Sequence, residues 1–313
     1  MPRPRRTKDA PPSSHRGGIL VLDKPPGVSS HDVVAVVRRA LRDIKVGHTG
    51  TLDPFATGVM ALVVGRATRL AQFLGADDKD YEARVRLGRA TDSYDLTGAV
   101  TFEAPPGAPR PTLDAIRAVL EGWVGPLMQM PPQYSAKMSA GTRAYERARQ
   151  GLPVQLEPAA VELTRVEIRH FDGDGLDIAI RCSAGFYVRS LAHDLGVRLG
   201  VGAHLEALRR TRTGTFTLDA AVTLDAVPGR EEALLERMIP LDRLLPELPA
   251  VELTETGADY VAHGRGIGPA QMVRPGDARP EAGRLRLMGP GGALLAVAEA
   301  GPAGVLHPVV VLV

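Results

Sequence analysis

The segment Gly47-His48-Thr49-Gly50-Thr51-Leu52-Asp53-Pro54-Phe55-Ala56-Thr57-Gly58 concentrates the residue types most suited to chemistry. Its glycines and threonines favour tight turns. Pro54 lacks a backbone donor and biases Asp53 toward an extended backbone. A carboxylate fixed in this way can act as a nucleophile; a plain Asp-Pro turn with a capping carboxylate fits the same residues. A nucleophilic carboxylate must be ionised, so a cation beside it is expected. Metal chemistry finds little support. Cys182 is the single cysteine, which excludes a disulfide within the chain and a cysteine-based zinc site, and the eight histidines show no His-Glu-x-x-His spacing. Two basic clusters could meet phosphates: Arg3, Arg5, Arg6, Lys8 and Arg16 near the start, and Arg209, Arg210 and Arg212 later. A solvated tail and an ordinary helix end account for them equally well.

The elements around this segment are legible from periodicity. Residues 1–17, rich in Pro, Arg and Ser, read as a disordered basic tail. Ile19–Leu22 reads as a strand, Lys24-Pro25-Pro26-Gly27 as a turn, and Ser29 or Ser30 as the cap of a helix with Val33, Val37, Leu41 and Ile44 on one face. Arg38, Arg39, Arg42 and Lys45 fall near its end. Tyr81–Leu87 and Leu176–Cys182 alternate as half-buried strands, the second running on into Gly185–Arg189. Thr112 opens a short helix, and Leu191, Leu195 and Leu199 mark another that ends at Gly200. Strands and helices mix without a βαβ rhythm, so the expected fold class is α+β with a large, mainly antiparallel sheet flanked by helices. The stretch Pro240–Pro249 reads as a boundary. Short strands at Arg284–Met288, Ala293–Ala298 and Val305–Val313 then suggest a small β domain over residues 246–313. The chain of 313 residues with formal net charge +2 has no apolar run of roughly 18 residues and no signal-like start, which fits a cytoplasmic enzyme or binding protein.

The twelve-residue segment resembles the active-site motif of the TruB-type tRNA pseudouridine synthases, and the likeness continues in order along residues 18–215. Gly18–Ser30, Lys79-Asp80-Tyr81, Arg89–Asp95, Pro131–Ala136, Tyr145–Gly151, Cys182–Ser190 and Gly202–Arg210 each resemble a motif of that family. Three positions depart from it. Met138 stands where members carry Lys, with Lys137 one place earlier; Phe186 replaces Thr before Tyr187; and Arg69 stands where some members have Lys. The resemblance implies a pseudouridine synthase fold over residues 18–245 and a PUA-like RNA-binding domain over 246–313. It implies isomerisation of one uridine in the T stem-loop of tRNA, with no cofactor, no metal and no obligatory protein partner.

The resemblance also assigns residues. Asp53 is the nucleophile and Arg189 its cation. Tyr81 stacks on the flipped base, Tyr187 handles the C5 proton, His48 fills the vacated space in the RNA, and Leu208 closes the base pocket. Lys24, Arg69, Arg209 and Arg210 are expected to contact RNA. Taken without the resemblance, Tyr81, Tyr187 and Leu208 read as core residues and Arg189 as a surface strand arginine. An rRNA-modifying branch, a guide-RNA-dependent relative and an RNA chaperone without catalysis are the competing readings.

Overall fold

A computed structural model describes residues 17–313 apart from 43, 278–282, 302 and 303. The basic tail expected at the start lies outside the described residues. The chain enters with β1 (Gly17–Lys24), turns at Gly27 and forms α1 (Ser30–Ala40). Ser29 caps α1 through a capping box with Asp32. The apolar stripe of α1 is cut short of Ile44, because Arg42 adopts a left-handed φ of 53°. Next come β2 (Val46–His48), β3 (Thr57–Gly65) and the short helix α2 (Ala71–Leu74). Then follow β4 (Lys79–Leu87), the hairpin β5 (Arg89–Thr91) and β6 (Val100–Glu103), α3 (Leu113–Glu121) and β7 (Gly125–Gln129). A small excursion of β8 (Met138–Ser139), β9 (Thr142–Arg143) and α4 (Ala144–Arg149) precedes the long hairpin β10 (Ala159–Phe171) and β11 (Gly175–Cys182). After it run α5 (Val188–Arg198) and β12 (Ala203–Thr213), with short strands β13 (Phe216–Thr217), β14 (Val222–Thr223) and β15 (Ile239–Pro240) around α6 (Glu231–Glu236).

Among the described residues these strands make one 11-stranded sheet whose main path is β14-β1-β3-β12-β4-β11-β10-β7. Its pairings are antiparallel except β1 with β14 and β3 with β12. The expectation of a mainly antiparallel sheet with helices holds. The parallel seam is short: Thr57 and Gly58 of β3 lie opposite Arg209 and Arg210 of β12. Gly58, at φ 105°, is required there, because a Cβ would fall 2.1 Å from the carbonyl oxygen of Arg210. The loop carrying Asp53 leads directly into β3, so this seam fixes where it sits.

One face of β4, β11 and β12 packs on α3 and α5 through residues such as Val85, Ile178, Leu191, Leu195 and Leu205. The strands β1 and β3 are apolar on both faces, as their near-continuous apolar runs require. Leu20, Leu22, Met60 and Leu62 meet α1 on one side. On the other side Ile19, Val21, Val59, Ala61 and Val63 meet Leu294, Val297 and Leu312.

Leu294 and Val297 belong to, and Leu312 directly follows, a second sheet formed by β16 (Ala250–Glu252), β17 (Arg284–Met288), β18 (Leu294–Ala300) and β19 (Leu306–Val311), with α7 (Glu255–Ala262) beside it. It has its own core, including Val251, Val261, Leu285 and Leu306. It also shares the β1–β3 core. Arg69 reinforces the join by donating to the carbonyl of Val311 at 2.5 Å, and Arg284 lies 5.0 Å over the Phe73 ring.

Candidate active site

The loop before β3 is held from below by three side chains. Ser30 Oγ donates to the carbonyl of Leu52 and accepts from its N–H, both at 2.9 Å. Arg210 donates from Nε to Val59 O at 2.7 Å, from Nη2 to Gly50 O at 3.1 Å and from Nη1 to Thr51 O at 3.4 Å. Lys24 Nζ donates to Pro25 O (2.9 Å), Val28 O (2.8 Å) and Pro54 O (3.1 Å). The N–H of Gly27 adds a bond to Pro54 O at 2.8 Å. A segment of turns has no ladder to satisfy its carbonyls, and unpaired buried carbonyls cost free energy. Two buried cations and a serine supply the partners. Burial lowers the Lys24 ammonium to about 8, opposed by the nearby Asp53 charge.

Lys24 is fully buried and Arg210 is 2% exposed, and both direct their donors at the loop rather than outward. Arg69 spends a donor on the C-terminal sheet. Arg209, still partly exposed, forks onto Asp23 at 2.8 and 3.1 Å. The cluster read as a helix end lies in strand β12.

Above the loop, the Asp53 carboxylate meets Arg189. Nη2 donates to Oδ1 at 2.9 Å and Nε lies 2.8 Å from Oδ2 as an ion-pair contact outside hydrogen-bond geometry, a side-on fork with one hydrogen bond. Arg189 stands in the first turn of α5, not on a strand, and only 4% of its side chain is exposed; Asp53 keeps 29%. The rest of the guanidinium is anchored from behind. Nη1 donates to Ser93 O at 3.1 Å and lies 3.4 Å from Asp95 Oδ2, and Nη2 donates to Tyr134 O at 2.9 Å. Burial pushes the Asp53 carboxyl above its ordinary value; Arg189 pulls it down and Asp95 pushes it up again. The result is a partly open carboxylate beside a cation that cannot turn away.

Tyr81, on β4, is buried in the same apolar cluster as Leu52, Ala56, Phe186 and Leu208. Its phenol is pushed up by burial, with Arg210 acting in the opposite direction. Tyr187 is the N-cap residue of α5 and is half-buried. The Gln129 amide grips its backbone from both sides: Tyr187 N–H donates to Oε1 at 2.7 Å and Gln129 Nε2 donates to Tyr187 O at 3.0 Å. Burial raises the Tyr187 phenol, opposed by Ser135 and Arg189. His48 ends β2 at the edge of the loop, its Nδ1 buried without a hydrogen-bond partner. Burial, Arg210, His31 and Arg143 all lower its pKa, which favours the neutral ring.

Asp53 thus pairs with Arg189 and its charge acts on the Tyr81 and Tyr187 phenols; Leu208 shares the buried cluster of Tyr81, Lys24 and Arg210 hold the loop, and Arg210 acts on His48. Sequence reading missed Asp95, Gln129 and Ser30 as supports. Asp95 lay inside a quoted motif, whereas nothing local marks Gln129. No group of three or more His, Cys, Asp or Glu side chains among the described residues could hold a metal ion. No helix among them is long and apolar enough to cross a membrane.

The family model described as "TruB family pseudouridylate synthase (N terminal domain)" matches residues 38–188, and "tRNA pseudouridylate synthase B C-terminal domain" matches 189–246. The chain is 41% identical over 297 residues to tRNA pseudouridine synthase B of Solibacter usitatus, covering 94% of this chain and 99% of that protein. It is 44% identical over 238 residues to the same-named protein of Opitutus terrae, covering 76% and 98%. Among solved structures it resembles a chain of the archaeal box H/ACA sRNP Nop10–Cbf5 complex. There the TM-score is 0.69 and the identity 27%, covering 95% of this chain and 86% of that one. The motif order, the carboxylate–guanidinium fork and these matches agree: the chain belongs to the TruB family of pseudouridine synthases.

Proposed function

We propose that the chain isomerises the T-loop uridine of tRNA, position 55, to pseudouridine in the cytoplasm, with Asp53 as the nucleophile. The observation that carries this reading is the Asp53–Arg189 fork, whose carboxylate sits on a firmly held loop and whose charge acts on Tyr81 and Tyr187. In the reaction the C1′–N1 bond breaks, the uracil turns, C1′ bonds to C5, the C5 proton leaves and N1 gains a proton. Attack at C1′, attack at C6 and removal of a ribose proton all begin with an ionised Asp53, the state that Arg189 favours.

A uridine within a folded T arm must be everted to reach this carboxylate. Tyr81 offers the stacking face, a contact worth roughly 1–3 kcal/mol, and Leu208 the apolar wall. A neutral His48 can stack in the space the base leaves. Burial keeps the Tyr187 phenol protonated. It can therefore accept the C5 proton only while handing its own proton on, and Asp53, whose charge acts on it, is the natural acceptor. The C-terminal sheet, read as PUA-like and covering residues 246–313, would contact the acceptor stem through phosphates, which position RNA without specifying sequence. The identity to named tRNA enzymes exceeds that to the H/ACA protein, which supports direct recognition of tRNA over guidance by a second RNA.

The test is to incubate the purified protein with an isolated T stem-loop and map pseudouridine by carbodiimide treatment and primer extension. Modification at the target uridine, and none when it is cytidine, supports the reading. Equal modification of unrelated rRNA hairpins would favour the rRNA-modifying branch.

A further inference from the structure

Arg189 has anchors besides Asp53, and two of them flank one unusual residue. Ser93 supplies a carbonyl and Asp95 a carboxylate; between them Tyr94 adopts a left-handed φ of 65°. A bulky aromatic residue holds that conformation only where its surroundings fix it. The surroundings here are the ring of His193, stacked on Tyr94 at 3.7 Å between centroids and 11° between planes. His193 lies four residues after Arg189 on α5, one turn along the same helix face. Its Nδ1 is buried without a hydrogen-bond partner, so it is the flat face of the ring that is engaged. The rest of the turn is tied to the sheet: Leu205 N–H donates to Tyr94 O at 2.9 Å, and Thr97 N–H donates to Asp95 Oδ1 at 2.9 Å.

We propose that Tyr94 and His193 are a positioning pair: their stack clamps the 93–95 turn onto the helix that carries Arg189, and so sets the guanidinium square to Asp53. The turn touches α5 at two heights, through Arg189 itself and through the ring one turn further on. With only the lower contact, α5 can turn against the sheet-held 93–95 turn and carry the guanidinium off its alignment with Asp53. The pair touches no reacting atom and acts through Arg189. This inference rests on Asp53 and Arg189 being the reacting pair.

Three substitutions at Tyr94 separate the ring from the backbone. Tyr94→Phe keeps the ring. Tyr94→Gly removes it but accepts the left-handed backbone readily. Tyr94→Ala loses both. We expect single-turnover rates on saturating T stem-loop within about twofold of wild type for Tyr94→Phe and at least about tenfold lower for Tyr94→Gly and Tyr94→Ala, with RNA Kd within about threefold throughout. His193→Ala tests the same stack from the helix side and should match Tyr94→Gly; it decides the matter should Tyr94→Gly not fold. A wild-type rate for folded Tyr94→Gly or His193→Ala overturns the proposal. A rate loss at limiting RNA that saturation restores also overturns it, since Tyr94 would then be an RNA contact in the cavity it lines with Met130 and Gln133. Asp53→Asn measured alongside separates the two readings: turnover by that variant would reject the reacting pair itself, whereas its inactivity with a fast Tyr94→Gly would reject only the clamp.

Discussion

At Asp53 two opposed effects of similar kind meet. Burial destabilises the carboxylate and Arg189 stabilises it. In the proposed reaction only the ionised form attacks, so the rate should fall as pH drops through the Asp53 pKa, which burial pushes above the usual aspartate value. Arg189→Met removes the main downward pull and leaves burial and Asp95 opposed only by Lys24. The acid limb of the single-turnover pH profile should therefore move to higher pH, as losing an adjacent cation raises a carboxyl, and the neutral-pH rate should fall. An unshifted acid limb would show that Arg189 does not control this charge. Read without the resemblance, Asp53 fits the capping carboxylate of an Asp-Pro turn just as well; the resemblance to the TruB motif is what singled it out as the nucleophile. Arg189 was legible only by resemblance. The start of α5 carries no side-chain cap, since Tyr187 is gripped instead by Gln129 from another strand, and that signal lies 58 residues away.

At the scale of elements, the seam between β3 and β12 converts a basic-looking strand into the support of a loop. Arg209, Arg210 and Arg212 read as a surface cluster because charge is normally solvated. In β12 the register slips between Leu205 and Ala207 and again between Arg210 and Arg212. Simple alternation therefore does not reveal that Arg210 points inward. Hydrogen bonds from charged donors contribute about 1.5–3 kcal/mol each. Arg210→Met should therefore lower stability by about 3 kcal/mol or more, leaving Gly50, Thr51 and Val59 carbonyls unpaired, and slow turnover as the Asp53 loop loosens. Thermal unfolding and the single-turnover rate check this together. Unchanged values for both would return Arg210 to the role of an RNA contact. By contrast β4 and β11 were plain from their alternation, β1 from its apolar run, and α1 and α3 from their apolar spacing and the capping Ser29 and Thr112.

At the scale of the molecule, the C-terminal sheet is less separable than its glycine-rich sequence suggests. The sequence marks a boundary near Pro249, yet Leu294, Val297 and Leu312 complete the core behind β1 and β3. No local pattern can show which remote strand an apolar face will meet. Each such side chain contributes roughly 1.5–3 kcal/mol on burial. A chain ending at residue 249 should therefore unfold several degrees below the full protein, and where still folded should bind full tRNA more weakly. If phosphate contacts are lost with it, the slope of log affinity against log salt should become shallower by about 0.7–0.9 per contact. Equal melting temperatures would contradict the shared core, and equal slopes would contradict an RNA role for this sheet. The most direct test of the whole account is Asp53→Asn on a saturating T stem-loop, which keeps the shape of the side chain and removes its charge. The expected result is RNA affinity within a few fold of wild type and no detectable pseudouridine; normal turnover by that variant would contradict it.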